Sequence, residues 1–99
     1  MVEVRLRPAA ERDFRDIGRY SEEQWSHIQA EAYLQALLDA IEWIAAHPFA
    51  GRDVGWIKSG YRRHRAGVHL IFYLIIPDGA VEIARILHGR ADISQQLDE

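Results

Sequence analysis

The 99-residue chain contains no cysteine. This absence excludes disulfide bonds, zinc–thiolate and iron–sulfur sites, and a cysteine nucleophile, and it is consistent with a reducing compartment. No apolar run approaches the roughly 20 residues that a membrane-spanning helix needs, and the charged N-terminus does not resemble a signal peptide. Phosphate-binding loops, serine-hydrolase elbows and zinc-protease motifs are also missing. We therefore expect one globular domain over residues 1–99, with no cofactor and no membrane contact.

Acidic residues are missing from one long segment, residues 54–77, although the formal net charge of the whole chain is −3. Lys58, Arg62, Arg63 and Arg65 lie in this segment, directly before its most apolar stretch. Nonspecific binding to nucleic acid depends on clustered cations, and the acidic chain as a whole argues against it. The basic strip therefore favours one specific anionic partner, without sequence-specific DNA binding by the chain itself.

The first half of the chain predicts a strand followed by a helix. Residues 2–7 alternate between apolar and charged side chains, which is typical of a half-buried strand. Pro8 ends the strand and suits the first turn of a helix. Apolar and small residues then recur at helical spacing, at Phe14, Ile17, Gly18, Ser21, Trp25 and Ile28.

A second helix is predicted from Ser26 to His47. Ser26 and Gln29 have the spacing of a capping box, and a residue before proline is pushed out of helical geometry. The buried stripe of this helix is expected at Leu34, Leu37, Leu38, Ile41, Ile44 and Ala45. Helices separated by so short a break form an antiparallel hairpin; one long kinked helix is the alternative.

The second half of the chain predicts a meander of strands. A glycine-rich segment, residues 48–60, reads as a loop or a short irregular strand, and strands follow at residues 61–66, 68–76 and 81–88. The middle strand is apolar on both faces, so we place it in the centre of the sheet. Asp92 can cap a last short helix at residues 93–97.

These elements predict an α+β fold. An N-terminal strand returns to the sheet beside the C-terminal strands, and an antiparallel helical hairpin packs on an antiparallel sheet with a C-terminal three-stranded meander. The hairpin can cover one sheet face. The other face is expected to be open and apolar, which is typical of a protein interface; it carries Ile71, Tyr73 and Ile75 and is edged by Tyr61, Arg63 and Arg65. Closure of this face by the tail helix or by a second copy is the alternative.

Five histidines raise the question of metal binding or catalysis. His64 and His69 are five residues apart in an extended chain, so they point to opposite faces and cannot share an ion; we expect no metal site. Arg63, Arg65, Arg85 and His88 could converge on a phosphate, with His88 as general acid or base for RNA cleavage. We favour the simpler interpretation that His88 and Arg85 pair with Asp92 or with the backbone at the end of a strand.

Four segments carry a family resemblance: RPAAERDFRDIGRYSEEQW, DAIEWIAAHPFAGRD, GYRRHRAGVHLIFYLI and VEIARILHGRAD. In order and spacing they resemble the ParE branch of the ParE/RelE toxin superfamily over almost the whole chain. The resemblance implies the fold inferred above and a toxin of a type II toxin–antitoxin system in the bacterial cytoplasm. Such a toxin is not an enzyme; it poisons DNA gyrase and blocks replication, and a ParD-like antitoxin neutralises it in a hetero-oligomer.

The resemblance also suggests contact residues. We expect the antitoxin to contact exposed positions of the helical hairpin together with Tyr61, Arg63, Arg65, Tyr73 and Arg85, and the target to contact His88, Arg90 and Asp92. The RelE branch cleaves mRNA on the ribosome, and Arg63, Arg65, Arg85 and His88 approximate part of its catalytic set. The single lysine and the acidic chain argue against that alternative. A paralogue that binds an antitoxin but poisons nothing is a third hypothesis.

Overall fold

The computed structural model describes residues 2–97; Met1, Asp98 and Glu99, at the ends of the expected domain, lie outside the described residues. In chain order the elements are β1 (Val4–Leu6), α1 (Pro8–Gln24), α2 (His27–Ala46), β2 (Arg52–Asp53), β3 (Arg62–Ala66), β4 (His69–Ile75), β5 (Val81–His88) and α3 (Ile93–Leu97). The strands form one sheet in the order β1-β5-β4-β3-β2. Within residues 2–97, no helix is both long and apolar enough to cross a membrane.

The break between the helices lies at the predicted capping box. The hydroxyl of Ser26 accepts the Gln29 amide at 3.1 Å, and the Gln29 side chain accepts the Ser26 amide at 3.4 Å. These bonds satisfy N–H groups that a helix start leaves without partners, so two helices form rather than one kinked helix. The predicted stripe is wrong near the break, because the turn carries Trp25 and Ile28 out of the α1 face; they are 43% and 78% exposed. Leu38, also expected in the core, is 47% exposed on α2.

The sheet confirms the three-stranded meander β3-β4-β5 and the place of the first strand beside β5. The prediction of an antiparallel sheet is wrong at this edge, because β1 pairs with β5 in parallel, Val4 opposite Val81. The short strand β2 explains the difference. It pairs antiparallel with β3 and adds one more reversal of the chain before β5.

The core lies between the helical hairpin and the sheet face that carries Ile71 and Tyr73. Both side chains are fully buried, together with Leu37 and Ile44 of α2. Our expectation that Ile71 and Tyr73 line an open face is therefore wrong: period-2 alternation separates two faces but does not say which one the helices cover. The Tyr73 hydroxyl accepts the Gly51 amide at 3.0 Å and donates to the Pro48 carbonyl at 2.8 Å, which fixes the loop after α2.

The opposite face of the sheet is also covered. Leu70, Phe72, Ala84 and Leu87 pack against Leu97 of α3 and against Val54 and Tyr61 of the segment between β2 and β3. Val54, Tyr61 and Leu97 are at most 4% exposed. The structure shows closure by the chain's own tail helix, which was the alternative in the sequence analysis. The segment expected to be a loop or a short irregular strand provides the rest of the cover.

Candidate partner-binding site

Three arginines form a row on the sheet face that α3 covers, at the edge formed by β2 and β3. Arg52 lies directly opposite Arg63 in the β2–β3 ladder, and Arg65 follows on the same face because strand side chains alternate. We call Arg52, Arg63 and Arg65 the arginine row. Like charges directly opposite each other in a sheet are destabilising. Among residues 2–97 no carboxylate forms an ion pair with any of the three.

The nearest acid along the chain cannot neutralise this row. Asp53 follows Arg52 and pairs with Arg62 in the ladder, which places it on the opposite face. Its carboxylate accepts the Gly55 amide at 2.8 Å in a tight local turn. The row therefore presents positive charge without compensation, in a chain whose net charge is −3.

The structure separates the five residues expected to contact an antitoxin into two groups. Arg63 is half-buried and Arg65 is exposed, so both can reach a partner. Tyr73 is 0% exposed and Tyr61 is 4% exposed. The Tyr61 hydroxyl is within 2.8 Å of the Arg7 guanidinium, which donates to it. Tyr61 and Tyr73 therefore support the fold, and almost none of their surface is accessible to a partner.

Arg85, the fifth of these residues, joins three elements. Its guanidinium donates to both carboxylate oxygens of Asp13 on α1, at 2.7 and 2.9 Å, and to the Gln96 carbonyl on α3 at 3.0 Å. Asp13 also accepts the Ile86 amide at 2.9 Å, on the part of the β5 edge that the short β1 does not pair. The Arg85 side chain is 12% exposed. Arg85 is therefore placed to hold α1, β5 and α3 together rather than to contact a partner.

His88 lies on the helix side of the sheet, away from the arginine row. It pairs with His69 across β4 and β5, whereas Arg63 and Arg65 pair with Phe72 and Leu70 on the α3 side. His88 therefore points to the opposite face from the three arginines of the ribonuclease set, although the Arg65 guanidinium lies close to Gly89, the residue after His88. Metal-binding geometry is missing as well: no group of three or more His, Asp or Glu residues in the described chain could hold an ion.

The residues expected to contact a target lie at the end of β5. His88, Arg90 and Asp92 are all exposed. The Arg90 amide donates to Nδ1 of His88 at 3.0 Å, so the proton of the neutral imidazole lies on Nε2. Asp92 caps α3 as predicted, with its carboxylate accepting the Gln95 amide at 3.4 Å.

A continuous series of rings lies beside these residues. Trp25, Tyr33, His69 and His88 make successive edge-to-face contacts, with ring centroids 5.5, 5.6 and 5.6 Å apart. The Tyr33 hydroxyl is 2.6 Å from Nδ1 of His69. Burial lowers the pKa of His69, and the neighbouring His88 lowers it further, so His69 is neutral at pH 7.

A cleft opens between this series and the end of α1. Its volume is about 420 Å³, and it is lined by Ile17, Tyr20, Trp25, Val68, His69 and His88, with Asp16 at its edge. Tyr20, Trp25 and Val68 are 61%, 43% and 49% exposed. We call this concavity the aromatic cleft. Sequence reasoning missed it because its walls come from three separate segments, and it missed Arg52 because the short β2 gave no periodic signal.

Comparisons with known proteins agree with this architecture. Residues 4–93 match the family model described as the ParE toxin of the type II toxin–antitoxin system, parDE. The chain is 38% identical over 92 residues to Toxin ParE1 of Mycobacterium tuberculosis, covering 93% of this chain and 94% of that protein. It is 41% identical over 88 residues to Toxin ParE1 of Caulobacter vibrioides, covering 89% and 90%.

Solved structures show the same fold at low sequence identity. A chain of the chromosomal ParDE system from P. aeruginosa superposes with a TM-score of 0.76 at 16% identity, covering 89% of this chain and 96% of that one. A chain of the toxin–antitoxin complex RelBE2 from Mycobacterium tuberculosis gives 0.68 at 20% identity, covering 88% and 96%. With the family match and the two ParE1 relatives, these observations lead to one conclusion: this chain belongs to the ParE toxin family of type II toxin–antitoxin systems.

Proposed function

We propose that this toxin acts on DNA gyrase in the bacterial cytoplasm, stabilises the enzyme on cleaved DNA, and is neutralised by a ParD-like antitoxin. The observation that carries the proposal is the match to the ParE toxin family over residues 4–93. The family model names the parDE system, which favours a ParD-like partner. Gyrase is the target that the resemblance to the ParE branch implies.

The geometry favours a toxin that binds its target rather than an enzyme. A ribonuclease needs its acid–base group within hydrogen-bond reach of the reacting atoms. Here Arg85 is held by Asp13 and Gln96, and His88 lies on the opposite sheet face from Arg63. Binding alone is sufficient to poison an enzyme that passes through a cleaved intermediate.

Two surfaces suit the antitoxin. Helix α2 buries Leu37 and Ile44 against the sheet, yet Ile28 and Leu38 on its outer side are 78% and 47% exposed. With Phe14 of α1 they line a shallow groove. A helix that is apolar on both sides is stabilised when a second element covers its outer side, and an amphipathic helix fits such a groove. An acidic segment of the same partner would then neutralise the arginine row.

The target surface that we propose lies at the other end of the sheet, at His88, Arg90 and Asp92. All three residues are exposed, and backbone amides hold the His88 ring and the Asp92 carboxylate by hydrogen bonds. The order of the surrounding backbone favours tight binding, because little conformational entropy is lost when a partner binds.

Purified toxin tests the proposal in a gyrase supercoiling assay on relaxed plasmid. We expect supercoiling to fall and linear DNA to accumulate when the reaction is stopped with detergent and protease, and we expect a ParD-like antitoxin encoded beside the toxin to reverse both effects. Cell-free translation of a reporter mRNA is the control and should continue normally. Normal supercoiling without linear DNA would refute gyrase as the target, and mRNA cleavage would indicate the ribonuclease alternative.

A further inference from the structure

We propose that the aromatic cleft binds an arginine side chain of the target protein. The identity of that protein rests on the proposed function, but the chemistry of the cleft does not. Tyr20 and Trp25 form its aromatic walls, Val68 and Ile17 add apolar surface, and Asp16 provides a carboxylate at the edge. An arginine combines an apolar stem with a planar cation, so it fits all three kinds of surface.

The side of the cleft formed by Val68 and His69 is held in place by hydrogen bonds. The Tyr33 hydroxyl accepts the Val68 amide at 3.2 Å and contacts His69 at 2.6 Å. The Gly89 amide donates to the Val68 carbonyl at 2.9 Å, which ties the β3–β4 turn to the end of β5. A surface that is already ordered on this side loses less conformational entropy when it binds a side chain. Its exposed aromatic surface is the type of surface that forms the centre of protein interfaces.

The charge at the cleft favours a cation. The Asp16 side chain is 70% exposed, and its contact with Arg19 is loose, at 3.8 Å. Helix α1 points its C-terminal end toward Trp25 and has no basic residue in its last turn, so the partial negative charge of the helix end is not compensated there. His69 in the cleft lining is compatible with a bound cation, because burial lowers its pKa and so favours the neutral imidazole.

Each part of an arginine has a partner in this arrangement. A guanidinium stacks on the faces of tryptophan and tyrosine, and a carboxylate accepts two parallel N–H bonds from it. Lysine lacks the planar fork, so the same site binds it less well. An acidic side chain is excluded because Asp16 and the negative end of the helix would repel it.

The cleft is tested directly by NMR titration of the intact toxin with Nα-acetyl-arginine-N-methylamide. We expect saturable shifts of the Trp25 indole N–H and the Val68 amide, and binding at least about fivefold weaker for the citrulline compound, which has the same shape without charge. Asp16→Asn should weaken binding of the arginine compound about fivefold. Equal binding of the citrulline or norleucine compounds, or an absence of saturable shifts, would overturn the proposal.

The gyrase assay tests the role of the cleft in the toxin. We expect Asp16→Asn and Tyr20→Ala each to raise the toxin concentration needed for half-inhibition about tenfold, with antitoxin binding unchanged. Asp39→Asn and Trp56→Ala remove an exposed acid and an exposed ring elsewhere and should act like wild type. If wild-type toxin leaves gyrase unaffected, the proposed function fails and the NMR result alone decides the chemistry of the cleft. If wild type inhibits and the two cleft variants inhibit equally well, the cleft proposal fails and the proposed function stands.

Discussion

Asp13 and Arg85 are 72 residues apart in the chain and form a forked ion pair, with hydrogen bonds of 2.7 and 2.9 Å. Their side chains are 13% and 12% exposed. The pair connects the first helix to the last strand, and through Gln96 it also holds the helix that covers the far side of the sheet. An arginine of the expected contact surface thus proves to be part of the framework.

Asp13→Asn is expected to destabilise the fold by about 3 kcal/mol, because it leaves a largely buried guanidinium without its carboxylate. Chemical denaturation of the purified toxin measures the effect. Asp16→Asn removes an exposed acid from the same helix and should change the free energy of unfolding by less than about 0.5 kcal/mol. Equal stability of the two variants would contradict the framework role of Asp13.

Gly67→Ala is expected to destabilise the fold more than Gly79→Ala. Both glycines have positive φ, 60° and 90°, where a side chain adds about 1 kcal/mol of strain. A Cβ at Gly67 would lie 2.7 Å from the Tyr33 ring, whereas nothing lies within 4 Å of a Cβ at Gly79. Thermal unfolding of both variants gives the comparison. A Gly79→Ala protein as unstable as Gly67→Ala would show that Tyr33 does not restrict the β3–β4 turn.

Tyr73→Phe is expected to lower the free energy of unfolding by about 2 kcal/mol, because the buried Gly51 amide and Pro48 carbonyl both lose their partner. The affinity of the folded protein for an antitoxin should stay the same, since Tyr73 is 0% exposed. Calorimetric titration at a temperature where the variant is fully folded separates the two effects. A weaker complex from a fully folded variant would restore Tyr73 as a contact residue.

Stability is expected to fall as the pH is lowered from about 7.5 to about 5.5. Burial lowers the pKa of His64 and of His69, where His88 adds to the effect and Asp13 opposes it. The unfolded chain regains a pKa near 6.5 for both, so below that value it takes up protons that the folded chain does not. The stabilisation is thus present above about pH 6.5 and is lost as the pH falls. His27, whose pKa is raised by Glu22, acts in the opposite direction but is fully exposed.

Urea denaturation at several pH values measures this dependence. A double variant, His64→Gln with His69→Gln, should show a shallower fall than wild type over the same range. A wild-type midpoint that rises as the pH falls would show that His27 outweighs the two partly buried histidines.

Arg52→Ala, Arg63→Ala and Arg65→Ala combined are expected to weaken the antitoxin complex at least about tenfold, because the acidic segment of the antitoxin loses the three cations that we propose it pairs with. Arg12, Arg15 and Arg19 are exposed on α1, do not line the proposed antitoxin groove, and offer a matched control with the same change in charge. The difference between the two triple variants should shrink at high salt. Equal effects of both triple variants would mean that net charge, rather than the arginine row, controls binding.

Local signals predicted the elements well, because each depends on a few neighbouring residues. The capping box of Ser26 and Gln29, the strand Val81–His88 and the short helix Ile93–Leu97 all lie where the sequence places them. The assignment of faces failed because it depends on distant residues. Nothing near Tyr73 reveals that the hairpin packs on its side, and nothing near Phe72 reveals that Leu97 covers it.

The pairing of side chains across strands could not be predicted from the sequence either. Arg52 belongs to the arginine row because it pairs with Arg63. That pairing depends on a two-residue strand inside a segment rich in glycine. The register shift between Phe72 and Tyr73 likewise follows from the ladder with β5 rather than from the sequence of β4. The aromatic cleft needs the end of α1, the β3–β4 turn and the end of β5 in one place, which only the folded chain provides.

The parallel pairing of β1 with β5 has a consequence for how the cell makes this protein. The first strand to leave the ribosome cannot pair until the last strand has been made, because Val4 pairs with Val81 and Leu6 with Ile83. Contacts between distant parts of a chain form late and slow the folding reaction. A truncated or still-growing polypeptide that lacks residues 81–83 therefore cannot complete the sheet, and the toxin fold forms only late in synthesis.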